Sequence, residues 1–142
     1  TTSGSLQASR MNHDELAALG TEDVEIGAHC EQHVDMRSLT TEQCRHELEA
    51  SRRVLQEISG QAINGFAYPG GRQNVEVRKQ VARAGFTYAA GTFRGLNRAP
   101  FDAYNLYRLG APDAGVSDYK RCLANAAGPA PQQMGLESVQ WP

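Results

Sequence analysis

A chain of 142 residues with a net charge of −2, 40% hydrophobic and 21% charged residues, fits one ordinary globular domain. That balance excludes disorder throughout and provides no attraction to nucleic acid or an anionic membrane surface, and no apolar run nears the roughly 18 residues of a membrane span. Three cysteines, Cys30, Cys44 and Cys122, odd in number and without CxxC spacing, argue against a disulfide framework or a cysteine zinc cluster.

The chain opens with TTSGSLQASR, which has neither an initiator Met nor the apolar core of a signal peptide, so it reads as a processed or internal piece of a longer product. MNHDELAALG predicts a short helix. Asn12 is its cap, Glu15 its capping-box partner and Gly20 its stop, with Leu16 and Leu19 facing inward. In VEIGAHC, Val24, Ile26 and Ala28 alternate with Glu25 and Gly27, which predicts a strand ending at the histidines.

The longest helix follows, in LTTEQCRHELEASRRVLQEISG. Thr40 and Gln43 have capping-box spacing, Cys44, Leu48, Leu55 and Ile58 form an apolar stripe, and Gly60 stops the helix. INGFAYPGG reads as a strand from Ile63 to Tyr68 broken by Pro69-Gly70-Gly71. Asn74 caps a further helix with Val77, Val81 and Ala84 inward and Gly85 at its end. FTYAAGT and LYRLGA are two more strand candidates, and residues 125–142 shift to Ala, Gly, Pro and Gln and read as a loose tail. The alternation of strands and helices predicts a parallel sheet wrapped by helices. About four strands are too few for a closed barrel of eight, so the chain is an open α/β unit or part of a barrel.

His29 and His33, four positions apart in EIGAHCEQHVDM, are the candidate metal ligands. Two imidazoles share a zinc ion only when each nitrogen lies about 2.0–2.1 Å from it. On a continuous strand four residues span about 13 Å, so the pair needs a helix or a loop that turns back. The spacing alone leaves both readings open, a ligand pair or two surface histidines, and two ligands do not complete a zinc site. His13 and His46, beside Asp14 and Glu47, read as solvated helix faces, and Cys30 as a small packed side chain.

Several stretches in order resemble the polysaccharide deacetylase family, also called NodB-homology or carbohydrate esterase family four. EIGAHCEQH is similar to the family's EIGSHT-x-x-H segment, and LTTEQCRHELEASRRVLQEISG to the helix that follows it. FAYPGG is similar to FAYPYG, VRKQVARAGFTYAAGT to the next helix-strand unit, and YNLYRLGA to the strand after that. The match runs from Met11 to Leu123. It implies an α/β fold, an incomplete NodB-type deformed (β/α) barrel of about four parallel strands, over residues 1–124.

The resemblance also implies a reaction: hydrolysis of N- or O-acetyl groups on a polysaccharide or sugar oligomer, with a divalent metal, most often zinc. By position, His29 and His33 become the metal ligands. Gly70, standing where the family has Tyr, becomes the backbone N–H donor to the oxyanion, because a backbone donor needs no particular side chain. Tyr68 and Pro69 would shape that loop and Arg72 would meet substrate hydroxyls. An extracytoplasmic or cell-surface location is implied in the same way.

The chain departs from the pattern at Cys30, where Ser or Thr is usual, and at Val34, where Pro is. No TFDDG-like segment, source of the base aspartate and the third metal ligand, occurs in it, and YNLYRLG has Arg108 but no histidine. The isolated chain is therefore expected to be inactive. A non-catalytic, degenerate carbohydrate-binding domain is the alternative, and an open sheet edge is expected to favour self-association.

Overall fold

The computed structural model describes residues 11–21, 23–110 and 116–126. The first helix, α1 (His13–Leu19), forms where its cap predicts: Asn12 accepts from the Glu15 N–H at 2.9 Å, and Glu15 accepts from the Asn12 N–H at 2.8 Å. The long helix α2 (Thr41–Ser59) opens on the same device between Thr40 and Gln43 and closes at Gly60 in the left-handed conformation. Its Cys44 and Leu48 are buried, as the stripe predicts, while Leu55 packs from the margin of the core. Asn74 caps α3 (Val75–Arg83) through the Val77 N–H at 2.9 Å, and Val77 and Val81 are buried.

Three short parallel strands, β1 (Gly65–Ala67), β2 (Tyr88–Arg94) and β3 (Leu106–Arg108), lie in that order. Gly65 pairs with Tyr88 and Ala67 with Ala90; Ala90 pairs with Leu106 and Arg94 with Arg108 across an irregular register. Parallel neighbours need a crossover, and α3 supplies it between β1 and β2. A last helix, α4 (Val116–Ala126), was not expected, and it runs past the start of the predicted tail, whose residues 127–142 lie outside the described ones.

The predicted first strand differs. Only Ala28 forms a bridge, to Phe66, through Ala28 N–H to Gly65 O at 2.9 Å and Ala67 N–H to Ala28 O at 2.8 Å. The alternation is partly kept, with Ile26 and Ala28 buried, but Val24 is 41% exposed. The reason is length: its neighbour β1 is three residues long, which leaves room for one pair of ladder bonds. The fold is thus a three-stranded parallel sheet with a fourth extended segment on its β1 edge.

The core gathers Ile26, Leu48, Ile63, Phe66, Tyr68, Val81 and Phe86 between the sheet and α2 and α3. Phe66 meets Tyr68 edge-on at 5.4 Å and Phe86 at 5.2 Å. Arg52 of α2 donates to the carbonyls of Ile63 at 3.0 Å and Ala84 at 2.9 Å, which ties α2 to the segment entering β1 and to the end of α3. Arg78 of α3 and Asp102 form a buried ion pair at 2.9 Å.

Leu48 is 0% exposed, so Leu48→Ala is expected to lower stability by about 2–5 kcal/mol in a denaturant melt, whereas Val54→Ala on the outer face should change it by less than about 0.5 kcal/mol. The Tyr88 hydroxyl donates to Glu25 at 2.7 Å, and this bond, with burial second and the Glu25 charge third, pushes the phenol up from 10.0 to about 12. A raised pKa means that this stabilisation is whole below the ordinary phenol value and is lost as pH climbs through about 12. Ultraviolet titration of the tyrosines should show Tyr88 titrating late, alongside buried Tyr68 whose phenol burial also pushes up, and Glu25→Ala should return Tyr88 alone towards the ordinary value.

Candidate metal-binding site

The bridge at Ala28 delivers the chain into a loop that reverses at once. Cys30 and His33 both take the left-handed conformation, with φ of 64° and 52°. For residues other than glycine each such conformation costs on the order of 1–3 kcal/mol and persists only when the surroundings enforce it. The reversal brings the predicted pair together: the rings of His29 and His33 lie edge to face with centroids 4.8 Å apart, and both residues are exposed. Of the two geometries weighed from the sequence, a loop that turns back after a strand is the one observed.

His29 is oriented from behind. Its Nδ1 lies 2.7 Å from the carbonyl oxygen of Ala67. A carbonyl only accepts, so Nδ1 is the donor, which leaves Nε2 as the nitrogen available to a ligand. This arrangement, a ligand imidazole with its other nitrogen donating to backbone, is the usual support for a metal-binding histidine.

Glu47 fastens the far side of the loop. Its Oε2 accepts from the N–H groups of Glu31 and Gln32, each at 3.0 Å, and the residue is 8% exposed. The sequence reading passed over Glu47 as a neighbour of His46. The signal was present: 44, 47, 48 and 51 fall on one helix face, and an acid there stands inside the apolar stripe. Burial, then the charge of Glu47, then Cys44 push the Cys30 thiol up to about 12, and Cys30 packs against the core. His46 lies on the outer face of α2, exposed, 3.9 Å from Glu31.

The second wall of the site is the turn after β1. Tyr68 is 0% exposed, its hydroxyl donating to the Tyr104 carbonyl at 2.8 Å, and Pro69 is buried beside it. Both side chains therefore pack beneath the turn. Gly70 and Gly71 are both left-handed, with φ of 60° and 68°. The Gly71 N–H donates to Tyr68 O at 2.9 Å and the Arg72 N–H to Pro69 O at 3.1 Å, while the Gly70 N–H takes no backbone partner among the described residues.

Arg72 is largely exposed, its Nη1 3.7 Å from Asp35. Asp35 is gripped more closely by Arg37, at 3.0 and 2.7 Å, and these bonds hold its carboxyl down at about 2. The stretch that follows His33 is thereby linked to the stretch that follows Gly71.

Among the described residues no group of three His, Cys, Asp or Glu side chains is placed to hold a metal ion. The donor set fits part of such a site: two imidazoles, near enough to reach one ion, one of them braced by a carbonyl. A Cβ on Gly71 would collide with the Thr92 side chain, in a backbone conformation that side chains avoid. Gly71→Ala is therefore expected to cost about 1–3 kcal/mol or more in a melt, against little change for Gly91→Ala, whose φ is not left-handed and whose added Cβ would meet its nearest neighbour, the Asn105 side chain, at an ordinary 3.6 Å.

A polysaccharide deacetylase family model matches residues 4–89, more than half of the chain. The protein YxkH of Bacillus subtilis (strain 168), whose name places it with the polysaccharide deacetylases, is 22% identical over 99 residues, 70% of this chain and 36% of that protein. The Streptococcus pyogenes deacetylase PplD, solved in complex with acetate, matches with a TM-score of 0.67 at 21% identity, over 71% of this chain and 45% of that one. A polysaccharide deacetylase from Bacillus cereus matches at 0.69 and 18% identity, over 80% and 36%. The chain spans between about a third and a half of these relatives' lengths. The parallel sheet with its crossover helices matches part of the NodB-type fold, and the chain belongs to the polysaccharide deacetylase family.

Proposed function

We propose that this chain provides part of the active site of a metal-dependent hydrolase that removes N- or O-acetyl groups from a polysaccharide or sugar oligomer. The observation that carries the reading is the pairing of His29 and His33 on a left-handed loop, with the Nδ1 of His29 turned to the Ala67 carbonyl. His29 and His33 would hold a divalent ion, with zinc suiting imidazole donors. Such an ion, when bound, polarises an acetyl carbonyl and makes water a nucleophile at neutral pH.

The remaining parts belong to the chain itself. The Gly70 N–H, unclaimed by backbone among the described residues, would donate to the oxygen on which negative charge develops. Tyr68 and Pro69 hold that N–H in place from below. Arg72, exposed at the rim, would donate to sugar hydroxyls or carboxylates. The base and a third protein ligand are not among these residues and would come from an Asp-Asp segment of the TFDDG type. Polymeric acetylated sugar as substrate points to an extracytoplasmic or cell-surface site of action. Among the described residues no helix is long and apolar enough to cross a membrane.

A second reading, a non-catalytic carbohydrate-binding domain, draws on one observation, the lack of a three-ligand group among the described residues. One experiment separates the two. The chain joined behind an Asp-Asp segment is expected to release acetate from acetylated sugar oligomers with zinc or cobalt supplied, and His29→Ala or a chelator should bring release to background. No acetate from that protein, with oligomer binding retained, would establish the non-catalytic reading. For the chain alone, weak zinc binding lost in His29→Ala is expected by calorimetry.

A further inference from the structure

We propose that Glu47 is the positioning residue of the histidine loop: its buried carboxylate, by accepting the N–H groups of Glu31 and Gln32, holds His29 and His33 within reach of one ion. The inference rests on the metal-site reading of the two histidines and adds to it the device that sets their geometry.

Three observations carry it. First, residues 29–34 make no backbone–backbone hydrogen bond among the described residues; the loop's own N–H groups at 31 and 32 go to Glu47 Oε2, each at 3.0 Å. Second, these two residues lie between Cys30 and His33, the two left-handed positions, so the bonds act on the very segment whose conformation needs enforcing. Third, no arginine, lysine or histidine forms an ion pair with Glu47 among the described residues, and the carboxylate is buried. Buried carboxylates require partners, and here the partners are the loop amides. His29 is already fixed through the Ala67 carbonyl, so the element left to place is the return of the chain to His33, and that is the stretch Glu47 holds.

A staple that merely adds stability predicts the same melting loss at Glu47 but no effect on the ring pair. Two variants and two readouts separate these. Glu47→Leu keeps volume and removes the acceptor; Glu47→Gln keeps a carbonyl oxygen at the same reach and removes the charge. In the metal-free protein, nuclear magnetic resonance is expected to show the His29–His33 ring contact and slow exchange of the Glu31 and Gln32 amides in wild type and Glu47→Gln, and neither in Glu47→Leu. Titration with cobalt(II), read by its ligand-field absorption, should show Glu47→Leu weaker by roughly tenfold or more, as for other supports behind metal ligands, with Glu47→Gln recovering most of the loss.

Wild-type cobalt affinity together with an intact ring contact in a folded Glu47→Leu protein would overturn the proposal. If wild type binds no cobalt, the metal-site reading fails, and the ring contact and amide exchange still decide whether Glu47 positions the loop. If Glu47→Leu does not fold, Glu47→Asp, which withdraws the acceptor by one methylene, takes its place with the same expectations.

Discussion

Two hydrogen bonds at Ala28 hold the candidate site together. Through them a segment without a ladder of its own is laid parallel to β1, and the residue that follows each partner becomes part of one site: His29 after Ala28, the Tyr68–Gly71 turn after Ala67. The next contact outward, His29 to the Ala67 carbonyl, joins residues 38 apart in sequence and is possible only because the bridge has set the register. Each such bond contributes about 1 kcal/mol net, too little to define a site alone. What secures them is the burial around them, with Ala28 at 1% and Phe66 at 2% exposure over a core that includes Leu48 and Ile63.

Around that bridge the chain accepts local strain and opposes it with specific ties. Four residues in left-handed conformations line the two loops: Cys30, His33, Gly70 and Gly71. The glycines adopt it at little cost, and Gly71 needs to be glycine because Thr92 packs against it. Cys30 and His33 do not have that freedom, and the Glu47 carboxylate and the Ala67 carbonyl supply the compensating contacts. Beneath the second loop, the Tyr68 hydroxyl bonds the Tyr104 backbone and the half-buried Tyr104 hydroxyl bonds the Phe86 backbone at 3.0 Å, so the turn rests on a chain of satisfied donors. Exposed imidazoles on a braced loop, facing a rigid turn, are what a preorganised site requires.

Legibility differed between elements for physical reasons. Helices α1, α2 and α3 were readable because their start signals are local: a cap and its partner are three residues apart, and their bonds form within one turn. The strands were readable as apolar segments but not in extent, since a strand is as long as its neighbour allows. VEIGA alternates well, yet pairs at one residue because β1 is three residues long. The histidine pair was visible as spacing, and its reality as a pair depended on backbone angles that no residue type at Cys30 or His33 announces. Arg72 was legible as a residue of the turn after the glycines, whereas its proximity to Asp35 is a tertiary fact.

By itself the sequence determined the α/β class, the capped helices, the glycine turn and the family, because these reside in local chemistry and in the order of motifs. Only the tertiary structure decided that His29 and His33 meet, that the Nδ1 of His29 donates to Ala67, and that Glu47 faces inward to hold the loop. The reason is range. A cap or a turn is a contract between residues a few positions apart, whereas an imidazole finds its carbonyl, and a carboxylate its amides, only after helix α2 has packed and β1 has been laid beside Ala28.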